Sequence, residues 1–403
     1  MTNPLSDAGA RTPARRPRTS PVLAVMAVAA GLSVAGNYFA QPLLGLLRTE
    51  LGMTTTAAGL TVAAAQIGYA IGLGLLVPLG DRYPRRGLAA TLLAATGLLL
   101  AAAGTAPTGW LLLAATGLAA VTSVGAQVLV PFAAELAPPQ RRARDIGIVM
   151  AGVLAGGLLG RAASGVVAEL AGWRTVYWAT AVLLLVTAVI VLRVLPGGGG
   201  DRSEATRPLR LWRSTAALLA ELPGLRRPIA IAALTMASFT VHLTVVTLLL
   251  VDHPYRWSPA TIGLVGLIGV IGPLAMPLAG RLVDRGYPRA VLVTGLLSAA
   301  AGWAVMLPAQ GGGVGWLLVG LVLLNVGQTA VLNASQTTAY ELRPRARSRI
   351  NAVFMTLFFA GGSVGGALAP VVWVNAHWTG ACLLGIGLVG TALLVAAVPR
   401  RRA

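Results

Sequence analysis

The chain contains no lysine. Its 403 residues carry 31 basic side chains, all of them arginine, against 12 acidic ones, three histidines and one cysteine. Each shortage removes a class of function. A phosphate-binding loop of the G-x-x-x-x-G-K-[ST] kind needs its Lys on the nucleotide phosphates, so that form of ATPase is excluded. The single cysteine, Cys382, permits no internal disulfide, no cysteine zinc cluster and no redox pair. In its apolar stretch it reads as a small core residue. With three histidines and no evident nucleophile–base pair, neither a metal centre, a cofactor nor a membrane enzyme is expected. Charge of either sign is scarce: charged residues make up 11% of the chain, where a soluble domain carries about 25%. So few charges cannot cover a water-facing surface of this size.

What fills the sequence instead is hydrophobic, at 56% of residues. A helix crosses a bilayer with about 20 mostly apolar residues. Such runs fall near 21–47, 55–79, 87–106, 109–134, 146–168 and 174–195. A second set falls near 228–251, 258–280, 289–308, 314–340, 350–373 and 379–398. Twelve spans are therefore expected, in contact with the lipid bilayer. Between the sets lies a polar stretch, 196–227, opening GGGGDRSEATRP. It divides the chain into an N-terminal unit, 1–195, and a C-terminal unit, 228–403. Within it, Leu209–Leu222 mixes apolar and basic residues as a helix lying on the membrane surface would.

The arginines set the orientation. All but Arg48, Arg161, Arg174 and Arg256 fall in the N-terminal tail, the C-terminal tail or alternate loops, 196–227 among them. The positive-inside rule places both termini and that loop in the cytoplasm. Nucleic-acid binding would need a folded basic face with stacking aromatics, not clusters between apolar runs, so no nucleic-acid partner is expected. The Arg-rich start followed by Pro21–Gly36 could be a signal peptide, but eleven further spans make it a first transmembrane helix.

The two halves repeat. GWLLL at Gly109 leads to Glu135–Leu136, and GWLLV at Gly315 leads to Glu341–Leu342. Arg144, Met150, Gly156, Gly157, Gly160 and Trp173 recur as Arg349, Met355, Gly361, Gly362, Gly365 and Trp378. DRYPRR from Asp81 recurs as DRGYPR from Asp284. Two six-span units in one orientation make a pseudo-twofold molecule, whose central seam is where transporters place their substrate.

LGDRYPRR, joining spans two and three, resembles the G-x-x-x-D-R-x-G-R-R signature of the major facilitator superfamily, and the resemblance covers essentially the whole chain. Asp81, Arg82, Arg85 and Arg86 match it, while Val77 and Pro84 stand where Gly is usual. The second copy keeps Gly280, Asp284 and Arg285. The resemblance implies an all-α membrane protein, with about twelve helices in two pseudo-symmetric six-helix bundles, that works as a monomer. It also implies that Asp81 latches onto the cytoplasmic N-terminus of the eleventh helix, where free N–H groups favour a carboxylate. The plainer reading of this loop is a topogenic Arg cluster. Glu135 and Glu341, each followed by an Arg-rich loop holding Arg144 or Arg349, look like the family's inner gate. Alternatively they are solvated helix-end charges, worth under about 1 kcal/mol. GVLAGGLLGR resembles the glycine-rich signature of the family's proton-driven exporters. Gly152, Gly156 and Gly160 match it, but Gly157 replaces Pro and Arg161 replaces the last Gly. Small residues every four positions also serve close helix packing, and FAGGSVGG, with Gly361 and Gly365, repeats the device.

Arg161 stands out. It lies roughly 22 Å along its span at about 1.5 Å per residue, and no Asp or Glu occupies the middle of any span. A buried Arg usually faces a cavity, a partner or an anionic ligand. Otherwise it snorkels towards Glu169 or Glu50. His242 is the only histidine within a span and the only mid-span group that titrates near neutrality. It is either a structural histidine or a site for a coupling proton. Asn37, Gln41, Gln66, Gln127, Asn325, Gln328 and Asn333 form a candidate polar layer, with Pro42 kinking the first helix at that level. Trp110, Trp173, Trp257, Trp316 and Trp378 fall at span ends and read as interfacial anchors.

NYFAQPLL, ASGVVAELAGWR and RSRINAVFMT…GGSVGG most resemble bacterial exporters grouped with sugar-efflux and multidrug permeases. The expectation is thus a secondary transporter exporting a small solute by alternating access, with protons as a candidate driving ion. A uniporter, an importer and a non-transporting sensor or scaffold are the alternatives.

Overall fold

The structure is a computed structural model that describes residues 19–138, 140–197, 217–343 and 347–398. Among these it contains helices and turns and no strand. Ten long apolar segments, short 3-10 turns included, are α1 Pro21–Tyr38, α2 Thr55–Gly80, α3 Arg85–Gly104, α4 Gly109–Leu136, α5 Arg144–Ala171, α6 Trp173–Val194, α7 Pro223–Val251, α8 Pro259–Asp284, α9 Pro288–Gly311 and α10 Val314–Glu341. An eleventh, Arg349–Ala397, is broken at His377 (φ 50°, ψ −150°) into α11 (349–376) and α12 (378–397). The described residues therefore make twelve helices, as the hydropathy pattern predicts.

Local chemistry fixes where they start and bend. Thr54 caps α2 by accepting from Ala57 N at 3.1 Å, and Ser258 caps α8 by accepting from Thr261 N at 3.4 Å. Pro occupies the first turn of α7, α8 and α9, where its missing N–H costs nothing. α1 is interrupted by a 3-10 turn, Gly36–Tyr38, before the chain continues as Ala40–Glu50. Pro42 causes the break four residues upstream of itself, because its ring collides with the carbonyl at Tyr38. α8 is interrupted in the same way by Gly266–Val270, just ahead of Pro273 and Pro277.

Glycines let the helices approach. A Cβ at Gly152 or Gly156 would overlap the backbone of Ala27 or Gly31, which locks α5 onto α1. In the other half, a Cβ at Gly361 or Gly365 would overlap Ala233 or Ala237, locking α11 onto α7. Gly160 completes the first stripe against Ala35. The same small-residue contact thus appears once in each half, between corresponding helices.

The halves meet along two seams. α2 packs on α11 through Gly59 against Pro370 and through the rings of Tyr69 and Phe359, 4.7 Å apart. α5 packs on α8, where Gly165 meets Pro259 and Gly263 meets the Arg161 and Ala162 backbone.

The tryptophans divide. Trp110 and Trp316 are exposed, as anchors should be, but Trp173 and Trp378 are fully buried. Trp173 Nε1 donates to Glu50 at 2.9 Å and Trp378 Nε1 donates to the Met306 carbonyl at 3.0 Å. These two close the corners between consecutive helices rather than float at the interface. The surface-helix expectation for 209–222 falls mostly outside the described residues; Leu218, at its end, packs with Leu225 and Ile229.

Candidate functional site

A cavity of about 290 Å³ lies between the halves. Its lining comes from α1 (Val34, Tyr38) and Gln41 just beyond, α5 (Gly157, Arg161), α7 (Met236, Phe239, His242), α8 (Gly266, Ile268, Gly269), α10 (Asn325, Gln328, Thr329) and α11 (Phe358, Phe359). Both 3-10 interruptions, in α1 and α8, open onto it. Irregular backbone at membrane depth is tolerated where it borders such a cavity.

Five residues expected from the sequence therefore come together: Gln41, Arg161, His242, Asn325 and Gln328. Asn325 Nδ2 is satisfied within its own helix by the Leu321 carbonyl at 2.8 Å, and Gln328 Nε2 faces Met236 Sδ at 3.9 Å. The other three are different. Gln41 is fully buried, and among the described residues neither its amide oxygen nor its amide nitrogen has a hydrogen-bond partner. Arg161 Nε and His242 Nδ1 are buried and likewise make no hydrogen bond among the described residues. Arg161 does not snorkel to the rim acids. Glu50 accepts from Trp173 and pairs with Arg174 at 3.8 Å, while Glu169 accepts from Ala260 N at 3.2 Å.

The remaining candidate polar residues do not line the cavity. Asn37 Oδ1 accepts from Ser123 Oγ at 3.1 Å, and Gln127 Nε2 donates to Tyr69 at 3.4 Å. Gln66 is buried within α2, and Asn333 follows Leu332, the last lining residue of α10, with a buried Oδ1 that makes no hydrogen bond among the described residues. Their sequence signal, an amide in an apolar helix, cannot separate helix–helix adhesive from cavity lining.

Sequence reasoning missed Tyr38, Phe239 and Gly266. Tyr38 had a signal, since it sits in the NYFAQP segment that Pro42 distorts. Gly266 had none, because its role depends on what crosses it: a Cβ there would lie 2.7 Å from Arg161 Cδ and 2.8 Å from Arg161 Nε. The missing side chain makes room for the arginine.

Ion pairs mark both ends of the bundle. At the Arg-poor end, Arg48 Nη1 reaches Asp252 Oδ1 at 3.3 Å, and Glu169 meets the N-terminus of α8; both contacts join the halves. At the Arg-rich end, Arg85 pairs with Glu135 at 2.9 Å within the first half, and Arg343 pairs with Glu221 at 3.1 Å. Arg86 donates to the Leu195 carbonyl at 3.2 Å. The Asp81 side chain lies outside the described residues. Arg82, Arg144, Asp284, Arg285, Glu341 and Arg349 are exposed, and none of them makes an ion pair among the described residues.

Twelve apolar helices in two like halves around a central cavity that holds a few polar side chains define a membrane transporter. The sequence pattern of the Major Facilitator Superfamily matches residues 26–366 and again 228–403, and the chain belongs to that family. The chain is 37% identical over 379 residues to the transporter YgaY of Escherichia coli O157:H7, covering 93% of this chain and 95% of YgaY. It is 34% identical over 362 residues to a Streptomyces coelicolor protein named as a probable transporter, with 89% and 83% covered. Its fold matches the inward-facing, unoccupied crystal structure of a bacterial homologue of the human lysosomal transporter Spinster. There the TM-score is 0.77 at 15% identity, with 95% and 96% covered.

Proposed function

We propose that this transporter carries a small solute out of the cell across the cytoplasmic membrane by alternating access, acting as a monomer. One observation carries the reading: one cavity, lined from both halves, gathers both amide atoms of Gln41, Arg161 Nε and His242 Nδ1, buried and without a hydrogen bond among the described residues. Buried polar groups without partners are costly, and a solute entering the cavity would satisfy them. Residues 1–195 and 228–403 act as the two rocking bodies, with 196–227 joining them in the cytoplasm. Arg48–Asp252 and Glu169 on the α8 N-terminus serve as the outer gate, and the Asp81 and Asp284 loops with Glu135 and Glu341 as inner-gate elements. Export is favoured by the glycine stripe of α5, which resembles that of proton-driven exporters, and His242 is the candidate proton site.

The test is flux. A solute selected by thermal shift on the purified protein should accumulate in everted membrane vesicles containing the protein and not in right-side-out vesicles. Accumulation in right-side-out vesicles would make the protein an importer. An imposed pH gradient should drive uphill movement in proteoliposomes, and His242→Gln should lose that phase while keeping downhill flux. No response of the parent to the gradient would remove His242 from the coupling.

A further inference from the structure

Resting on the cavity as the solute site, we infer that the solute is a monoanion: one carboxylate-type group on a compact apolar or aromatic body, its charge neutralised by Arg161. Arg161 keeps its proton under all physiological conditions, so the cavity holds a permanent positive charge. No Asp or Glu is among the described lining residues. The nearby acids of the Arg-poor end are engaged elsewhere: Glu50 with Trp173 and Arg174, Glu169 with Ala260 N, and Asp252 with Arg48. A buried cation without a countercharge is unfavourable, and an anionic guest removes the imbalance.

The backbone has been shaped to deliver this charge. Gly266 of α8 leaves the space through which the Arg161 stem passes, and Gly263 lets the α8 backbone close onto that of Arg161 and Ala162. A planar guanidinium then offers donors matched to the two oxygens of a carboxylate. Gln41, with neither amide atom hydrogen-bonded among the described residues, adds a neutral donor to the same cavity wall. The rest of the wall is apolar, with Phe239, Phe358 and Phe359 as aromatic faces. A volume of about 290 Å³ is at the small end for ligand pockets, near the lower limit of about 300 Å³. Together these features select a small amphipathic anion over a sugar, which would leave the aromatic walls against hydroxyls, and over a cation, which Arg161 would repel.

The experiment uses full-length protein in detergent and three probes of nearly identical shape: naphthalene-2-carboxylate, naphthalene-2-carboxamide and 2-naphthylmethylamine. The expected result is binding of the acid at least tenfold tighter than the amide, with no saturable binding of the amine. Arg161→Gln should abolish the preference for acid over amide, and Arg161→Lys should restore part of it. Gel filtration of each variant confirms folding. Equal or tighter binding of amide or amine, binding of none of the three, or retention of the acid preference by Arg161→Gln would each overturn the anion assignment. Flux of a neutral or cationic solute by the same preparation would do so while leaving the transporter reading standing.

Discussion

Arg161 was the residue most visible in the sequence, because a charge in the middle of an apolar span has no bland explanation of equal weight. What the sequence withheld was its surroundings. That Glu50 and Glu169 are occupied, and that Gly266 lies across the arginine stem, depends on contacts between residues far apart in the chain. Amide side chains show the same limit in reverse. Gln41 and Asn37 sit four positions apart in one segment, yet Gln41 borders the cavity and Asn37 is held by Ser123. A prediction follows for Gly266. Gly266→Ala would place a methyl group against Arg161 Cδ and Nε and push the guanidinium out of line. Affinity for the cavity ligand should fall about tenfold, equivalent to about 1.4 kcal/mol. The thermal midpoint should change little, because a long side chain can shift. Isothermal titration alongside a thermal scan checks both.

At the scale of helices, the repeat was legible because it is written twice, and the structure turns that repetition into matching contacts. The α5 stripe against α1 and the α11 stripe against α7 are the plainest example. The corners after those helices match too, but with unequal residues. In the first half Gly172 (φ 82°, ψ 155°) turns the chain before buried Trp173. In the second half His377 (φ 50°, ψ −150°) turns it before buried Trp378. The sequence shows the shared Trp but not the shared backbone twist, since histidine gives no hint of a positive φ. That conformation is essentially reserved for glycine and costs about 1–3 kcal/mol elsewhere. His377 is exposed, so its side chain has little packing to lose. His377→Gly should therefore raise the unfolding midpoint, whereas Gly172→Ala should lower it. Thermal unfolding of the two variants in the same detergent tests the pair.

For the molecule as a whole, length and composition gave the spans, and the arginine distribution gave an expected orientation. The seam was predictable as a location, while its gates were not, because Arg48–Asp252 joins residues 204 positions apart. A solute bearing one negative charge would leave a cell whose interior is negative with a gain of about 2.3 kcal/mol per 100 mV. That corresponds to roughly a fiftyfold concentration ratio. Proteoliposomes with an imposed potential should therefore show uphill anion movement with no pH gradient, collapsing when the potential is clamped to zero; persistence at zero potential would assign the driving force to another ion. The cavity wall, with one arginine and no carboxylate among the described residues, has an electrical consequence of its own. Loaded with an anion, the moving centre is neutral and indifferent to voltage. Unloaded, it exposes a whole positive charge first to one side of the field and then to the other, so an interior-negative membrane pulls the empty protein back to face the cytoplasm. On a solid-supported membrane, that return stroke should appear as a transient capacitive current, suppressed by saturating anion and missing from Arg161→Gln.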